Sequence, residues 1–378
     1  MWLLLLADCK YIIITKALAM KVLVLALSGI GDALMFTPAL SVLKSKRPEA
    51  QVDVLTMFKS CGEVFKNNPN VSNVIFFDFM NETKVNALRF VLSLRGKYDA
   101  SINVYPANRA EYNGMQFMFG AKKRCAVDYL RRNNRNLAFL NNVRIREDDS
   151  LHNAQENVKM VTKLLGLPEM PESEIPAMEY YLSDEDRQFA KDFVNKTCAG
   201  RMIIGFHPGC NTLKNHANRR WDASRFGELG RRLAERFDCQ CLVFGGPEEK
   251  DLKDAVVASA ASERVRSVEV KTFSQSLALM QHCNYFITND SSLMHASAAL
   301  GVYVFPIIGP TNLSYIRPWK SGYTPISLNL ECAPCFYYSP KPLTCSRTDV
   351  QFKCVRELTV DFAFSIVAAQ IDLLKKSK

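Results

Sequence analysis

Five residues, Ser28-Gly29-Ile30-Gly31-Asp32, put a carboxylate where the apolar run KVLVLAL stops and a helical pattern begins. The glycines let the backbone turn tightly and approach a ligand closely. Leu34 stands where the dinucleotide fingerprint needs a third glycine, and the P-loop pattern is absent. Asp32 can serve the helix dipole, worth about 0.3–1 kcal/mol. At a cleft mouth it can instead accept a proton. A second junction is NDSSLMH, where Asp290 ends a strand and Ser291 and Ser292 open a helix. Backbone N–H groups and two hydroxyls suit an anion there, and an ordinary N-cap is the plain alternative. His295, one turn further on, can face the same cleft or simply be packed. A third is HPGCNTLKNHANRRW, in which Gly209 ends a strand and Lys214, Arg219 and Arg220 follow. Arg can grip two oxygens of a diphosphate at once, and a solvated charge run is the alternative. In GGPEEKDL, Glu248 or Glu249 lies just past a strand end, where a carboxylate can hold a ribose.

The elements that must position these residues alternate. KVLVLAL, QVDVLT, NVIFF and DASINV read as strands, with helices over 32–46 and around 85–95 and a short strand at KKRCAV. A helix over 151–165 stops at GLP, and residues 166–182, rich in Pro, Glu and Ser, suggest an inter-domain connection. Ser183 caps the next helix, and acids fill its first turn. Alternation then restarts with RMIIGFHPG, CQCLVFGG, CNYFITND and VYVFPIIGPT as strands, and VDFAFSIVAAQIDLLKK closes the chain as a helix. This is an α/β pattern of two parallel, doubly wound sheets joined near residue 180, with ligands expected beyond the carboxyl ends of the strands.

Over 378 residues the formal net charge is +10, which favours an anionic partner without choosing one. No nucleic-acid-binding motif supports nucleic acid. The segment 121–146 holds Lys122, Lys123, Arg124, Arg131, Arg132, Arg135, Arg144 and Arg146 against the single acid Asp128. The first nineteen residues are apolar but interrupted by Asp8, Lys10 and Lys16. They read as a loose tail or a non-native start before Met20, with a membrane-surface anchor as the alternative. Twelve cysteines without an export signal point to reduced thiols in the cytoplasm. Cys332, Cys335, Cys345 and Cys354 have a spacing compatible with structural zinc, although unmetallated thiols are the preferred reading.

Together, and in this order, these motifs resemble the heptosyltransferase-like glycosyltransferases, family 9. The resemblance runs from Met20 over nearly the whole chain. It rests on VLVLALSGIGDALMFTPAL, GAKKR, IIGFHPG, the basic pair before Trp221, LVFGGPEE and NDSSLMHASAALGV with its later GPT. Where members commonly have Lys-Arg-Trp, this chain has Arg219-Arg220-Trp221. The resemblance implies the GT-B fold, two Rossmann-like domains facing across a cleft. The expected divisions are a tail at 1–19, an acceptor domain at 20–182, a nucleotide-sugar domain at 183–358 and a helix at 359–378 crossing back to the first domain. It implies inverting, metal-independent transfer without a cofactor, with heptose from ADP-heptose as the donor chemistry. Asp32 would be the general base. Gly209, Lys214, Arg219, Arg220, Ser291 and Ser292 would hold the diphosphate, and Glu249, Asp290 and His295 the ribose and sugar. Gly31, Arg131, Arg132 and Arg135 would meet an anionic glycolipid acceptor such as a lipopolysaccharide core at the inner membrane face. A sugar-nucleotide epimerase of the same architecture and a non-catalytic nucleotide-binding protein are the rivals.

Overall fold

The computed structural model describes residues 19–106, 109–131, 135–337 and 342–377. Most of the apolar start and Arg132 therefore lie outside the described residues. Two parallel sheets form the frame. The first joins β1 (Lys21–Ala26), β2 (Gln51–Thr56), β3 (Asn73–Phe76), β4 (Ala100–Asn103), β5 (Lys123–Asp128) and β6 (Val143–Arg146) in the order β3-β2-β1-β4-β5-β6. The second joins β7 (Ile203–His207), β8 (Gln240–Val243), β9 (Val265–Ser267), β10 (Tyr285–Asn289) and β11 (Tyr303–Ile307) in the order β11-β10-β7-β8-β9. In each sheet the strand order reverses beside the first strand. The loops after β1, β7 and β10 therefore flank the two switch points, where open parallel sheets bind ligands.

β1 shows why a short apolar run commits to a central strand. Val22, Val24 and Ala26 enter one core with α1 (Ile30–Lys46), while Leu23 and Leu25 enter another on the opposite face. Fully burying each such leucine contributes roughly 1.5–3 kcal/mol. Around the first sheet, α2 (Lys59–Phe65) and α5 (Asn153–Leu165) lie on the α1 face, and α3 (Lys84–Ser93) and α4 (Ala110–Met118) on the other.

Within residues 166–182, Ile175 and Met178 are buried, and the Trp319 indole donates to the Pro176 carbonyl at 2.8 Å. Ser183 caps α6 (Asp184–Cys198) as expected, its hydroxyl accepting from the Asp186 amide at 3.1 Å. The second domain continues with α7 (Ala223–Phe237), α8 (Lys250–Ala260), α9 (Phe273–Met280), α10 (Ser292–Ala299), α11 (Leu313–Ile316) and α12 (Lys353–Arg356).

The final helix, α13 (Val360–Lys376), departs from the expected crossing back to the first domain. Its buried stripe of Val360, Ala363, Val367 and Ile371 sinks into the second-domain core against α7. Arg232 and Arg236 of α7 pair with Asp361 and Asp372 at 2.7 and 3.0 Å. The spacing of that stripe, close to the helical period, leaves one apolar face, and α7 covers it.

Contacts between the domains come from elsewhere. α1 packs along α10. His152 accepts from the Ala154 amide through Nδ1 and donates through Nε2 to the Arg317 carbonyl at 2.9 Å, with its ring stacked on Trp319. Burial pushes its pKa well below the usual value, so the ring is neutral. Asp149 of the first domain accepts from the Tyr315 hydroxyl at 2.5 Å and pairs with Arg131, whose guanidinium lies 3.8 Å from the Tyr337 ring centroid.

Candidate active site

The turn after β1 is pinned from several sides. Ser28 Oγ donates to the Pro106 carbonyl at 2.9 Å, Cys61 Sγ to the Ser28 carbonyl at 3.1 Å, and the Tyr112 hydroxyl to the Leu27 carbonyl at 3.1 Å. Burial and the nearby Asp32 charge push the Cys61 thiol up to about 12, so it remains a proton donor. Gly29 caps α1, and Asp32 Oδ2 accepts from its amide at 3.2 Å. The capping role and the placement of a carboxylate at the strand's end are thus one geometry. Burial raises the Asp32 pKa to about 7, with the Asp290 charge adding to it and the Gly29 bond opposing it. A carboxyl so tuned suits proton transfer near neutrality.

Gly31 faces the other domain. A Cβ there would lie 2.8 Å from His295 Cδ2, so a side chain would push α1 off the start of α10. The glycine is needed for interdomain approach, a sharper demand than acceptor contact alone. His295 is buried, its Nδ1 has no partner among the described residues, and burial pushes its pKa to about 4. It is therefore a neutral ring at the seam against Gly31.

Across the seam, the end of β7 and the start of α10 share a polar chain. His207 contacts Ser291 Oγ through Nδ1 at 2.9 Å and Glu249 Oε2 through Nε2 at 3.0 Å. Ser291 also meets Thr288 Oγ1 at 3.1 Å. Burial opposes ionisation of Glu249, but His207, the Gly246 amide and Arg220 outweigh it and hold its carboxyl below the ordinary value. A Cβ on Gly209 would fall 1.7 Å from Glu249 Oε1, so this glycine makes room for the carboxylate. Between the two candidate glutamates, the structure brings Glu249 into the site and leaves Glu248 exposed. Ser292 is half-buried on the first turn of α10.

The basic loop is anchored by Trp221, which is buried. Its amide donates to Asn289 Oδ1 at 2.9 Å and its indole to the Leu358 carbonyl at 2.8 Å. Arg219 pairs with Asp290 at 2.5 Å, where Thr311 Oγ1 also donates at 2.6 Å, and its guanidinium lies 5.5 Å from the Phe336 ring centroid. Arg220 donates to the Cys210 carbonyl at 2.7 Å. Both arginines keep a buried Nε–H with no partner among the described residues. Lys214 and Asn215 sit at φ of 56° and 62°, a costly region for residues with a Cβ, and the Leu343 amide ties the Lys214 carbonyl down at 2.8 Å.

The structure qualifies two expectations. Asp290 has only Oδ1 left to meet a sugar, because Arg219 and Thr311 both hold Oδ2. Arg131 is not an unpaired acceptor cation: Asp149, three residues beyond the segment whose charge was counted, neutralises it. Arg135 remains exposed. The four late cysteines are free thiols, and among the described residues no group of three or more His, Cys, Asp or Glu is arranged to hold a metal ion.

A family model described as glycosyltransferase family 9 (heptosyltransferase) matches residues 87–343. Lipooligosaccharide heptosyltransferase 2 of Campylobacter jejuni (serotype O:2) is 25% identical over 371 residues, covering 95% of this chain and 99% of the relative. Lipopolysaccharide heptosyltransferase 2 of Escherichia coli K12 is 24% identical over 310 residues, covering 79% and 85%. The solved structure of the E. coli ADP-heptose lps heptosyltransferase II superposes with a TM-score of 0.71 at 20% identity over 95% of this chain and 100% of that one. That likeness carries the fold, two Rossmann-like domains in the GT-B arrangement. With the match spanning more than half its length, the chain belongs to glycosyltransferase family 9, the heptosyltransferase family, and is a glycosyltransferase.

Proposed function

We propose that this enzyme is an inverting, metal-independent heptosyltransferase of lipopolysaccharide or lipooligosaccharide synthesis. Heptose moves from ADP-heptose onto an anionic glycolipid acceptor at the cytoplasmic face of the inner membrane. The observation that carries the reading is Asp32, a carboxyl with its pKa near 7 just past the end of β1, next to Gly31, which lies against Ser292 and His295 of α10. Asp32 takes the proton of the acceptor hydroxyl as that oxygen attacks the anomeric carbon. The bond from that carbon to the diphosphate oxygen breaks on the opposite face, so configuration inverts and ADP leaves with the electron pair. Charge grows on the diphosphate as the sugar becomes oxocarbenium-like. Ser291, Ser292, the α10 N-terminus and the guanidinium groups of Arg219 and Arg220 oppose that charge, with Lys214 beside them. Glu249, already oriented by His207, offers Oε1 to a ribose. His207 is the member of this site that motif reading did not single out.

Two results follow from this geometry. Because the base acts as carboxylate, kcat/KM should rise with pH roughly tenfold per unit below about 7 and level off above it. A profile flat from pH 5 to 8 would remove Asp32 from the rate-limiting proton transfer. Ser291→Ala combined with Ser292→Ala should weaken ADP by about 1–3 kcal/mol, through lost bonds to a charged group. Calorimetric titration of ADP in EDTA checks both the loss and the metal independence. Thermal shifts with ADP-, UDP- and GDP-sugars test donor identity, and a shift with a UDP-sugar alone would redirect the reading.

A further inference from the structure

The face of the first domain away from the α1 core carries an unpartnered helix surface. α3 turns Val91 and Leu94 into the core beside Phe90 and leaves Val85, Leu88 and Leu92 59, 47 and 46% exposed. At 100° per residue those three fall within about 60° of arc, so they form one outward stripe. Arg89 lies about 40° to one side of it and Lys84 about 40° to the other. Residues 84–97, KVNALRFVLSLRGK, contain Lys84, Arg89, Arg95 and Lys97 and no acid. All four cations are exposed. The acids at the helix entrance are already engaged: Asp78 with the Met80 and Asn81 amides, Glu82 with Asn86. Met80, in the loop leading into α3, is 63% exposed.

Topology places this surface usefully. β3 runs parallel to β1, so the loop after β3 and the first turn of α3 stand at the same edge of the sheet as Asp32. We propose that α3 docks on an anionic bilayer, Val85, Leu88 and Leu92 entering the interface and the flanking cations meeting lipid phosphates. An apolar stripe bordered on both sides by basic residues, with no acid among them, is complementary to that surface. A second copy would set like charges against each other, and a protein partner would need acids of its own on both flanks, which an anionic bilayer supplies at every lipid. This docking extends the reading of a lipid-linked acceptor, and its test is independent of turnover.

The test is co-sedimentation of the full chain with phosphatidylcholine vesicles, with and without phosphatidylglycerol. The chain should bind the anionic vesicles at least tenfold better than the neutral ones. Leu88→Glu with Leu92→Glu should reduce that binding at least tenfold with an unchanged melting temperature, since both side chains are exposed. Lys84→Gln with Arg89→Gln, a milder change, should abolish the preference for anionic lipid. Equal binding to both vesicle types overturns the proposal. So does undiminished binding by both variants, which would put the contact elsewhere on the chain. If the glutamate variant instead converts a dimer to a monomer and leaves vesicle binding intact, the occupant is a second copy. None of these failures touches glycosyl transfer, which is read separately with a soluble acceptor.

Discussion

Asp32→Asn should fold, bind the donor and turn over roughly 10²–10⁴ times more slowly, the scale of losing a positioned general base. The asparagine carbonyl can still accept from the Gly29 amide, so the cap on α1 survives. Stability supplies an independent check. The folded pKa of Asp32 lies near 7, above the ordinary aspartate value of 3.8, so the folded state holds the proton more tightly. Stability from this group is full below about 4 and is lost as pH rises through 7. The asparagine variant lacks that loss. It should match the parent near pH 4 and exceed it at pH 8 by on the order of 1–3 kcal/mol, the full shift being discounted for partial exposure. Parallel stability curves would mean that Asp32 is not desolvated in solution, and parent-like turnover would remove it from the chemistry.

Arg219→Met should have the largest effect on stability. Arg219 and Asp290 are both nearly buried, their side chains 10 and 9% exposed. Deleting the cation strands a carboxylate whose other side-chain partner among the described residues is Thr311. Breaking such a pair costs about 3–5 kcal/mol. Asp290→Asn added to Arg219→Met removes the stranded charge and should recover most of that loss. It should not recover ADP affinity, since a charge-assisted bond to phosphate contributes about 1.5–3 kcal/mol. Denaturation and ADP titration of the single and double variants separate the two roles. Parent-like ADP binding by the double variant would take Arg219 out of the donor site and leave Arg220 as the grip.

Much of this architecture was legible because its signals are local. The run ending at Ala26, the glycine turn and the carboxylate on the next helix are neighbours in sequence, and so are Ser291, Ser292 and the strand before them. β6 was not legible. VRIR is four residues long and half of it is charged, so no apolar run marks it. α4 carries Gly114 in its interior and β9 has only three residues. The misread site residues share another cause. His207 touches Ser291 because β7 and β10 pair with Thr288 opposite His207, a register no local pattern encodes. Arg219 and Asp290, or Arg131 and Asp149, likewise meet only once the chain is folded. The destination of α13 was expected from the resemblance alone; its apolar stripe shows that the helix is buried without saying against what.

The most direct measurement is transfer itself. The purified chain is incubated in EDTA with ADP-heptose and a deacylated lipooligosaccharide core, and ADP release and the anomeric configuration of the product are read by NMR. The account predicts one ADP released per heptose transferred, with inverted configuration, undiminished by the chelator. Retained configuration, or transfer abolished by EDTA while the fold persists, would contradict it.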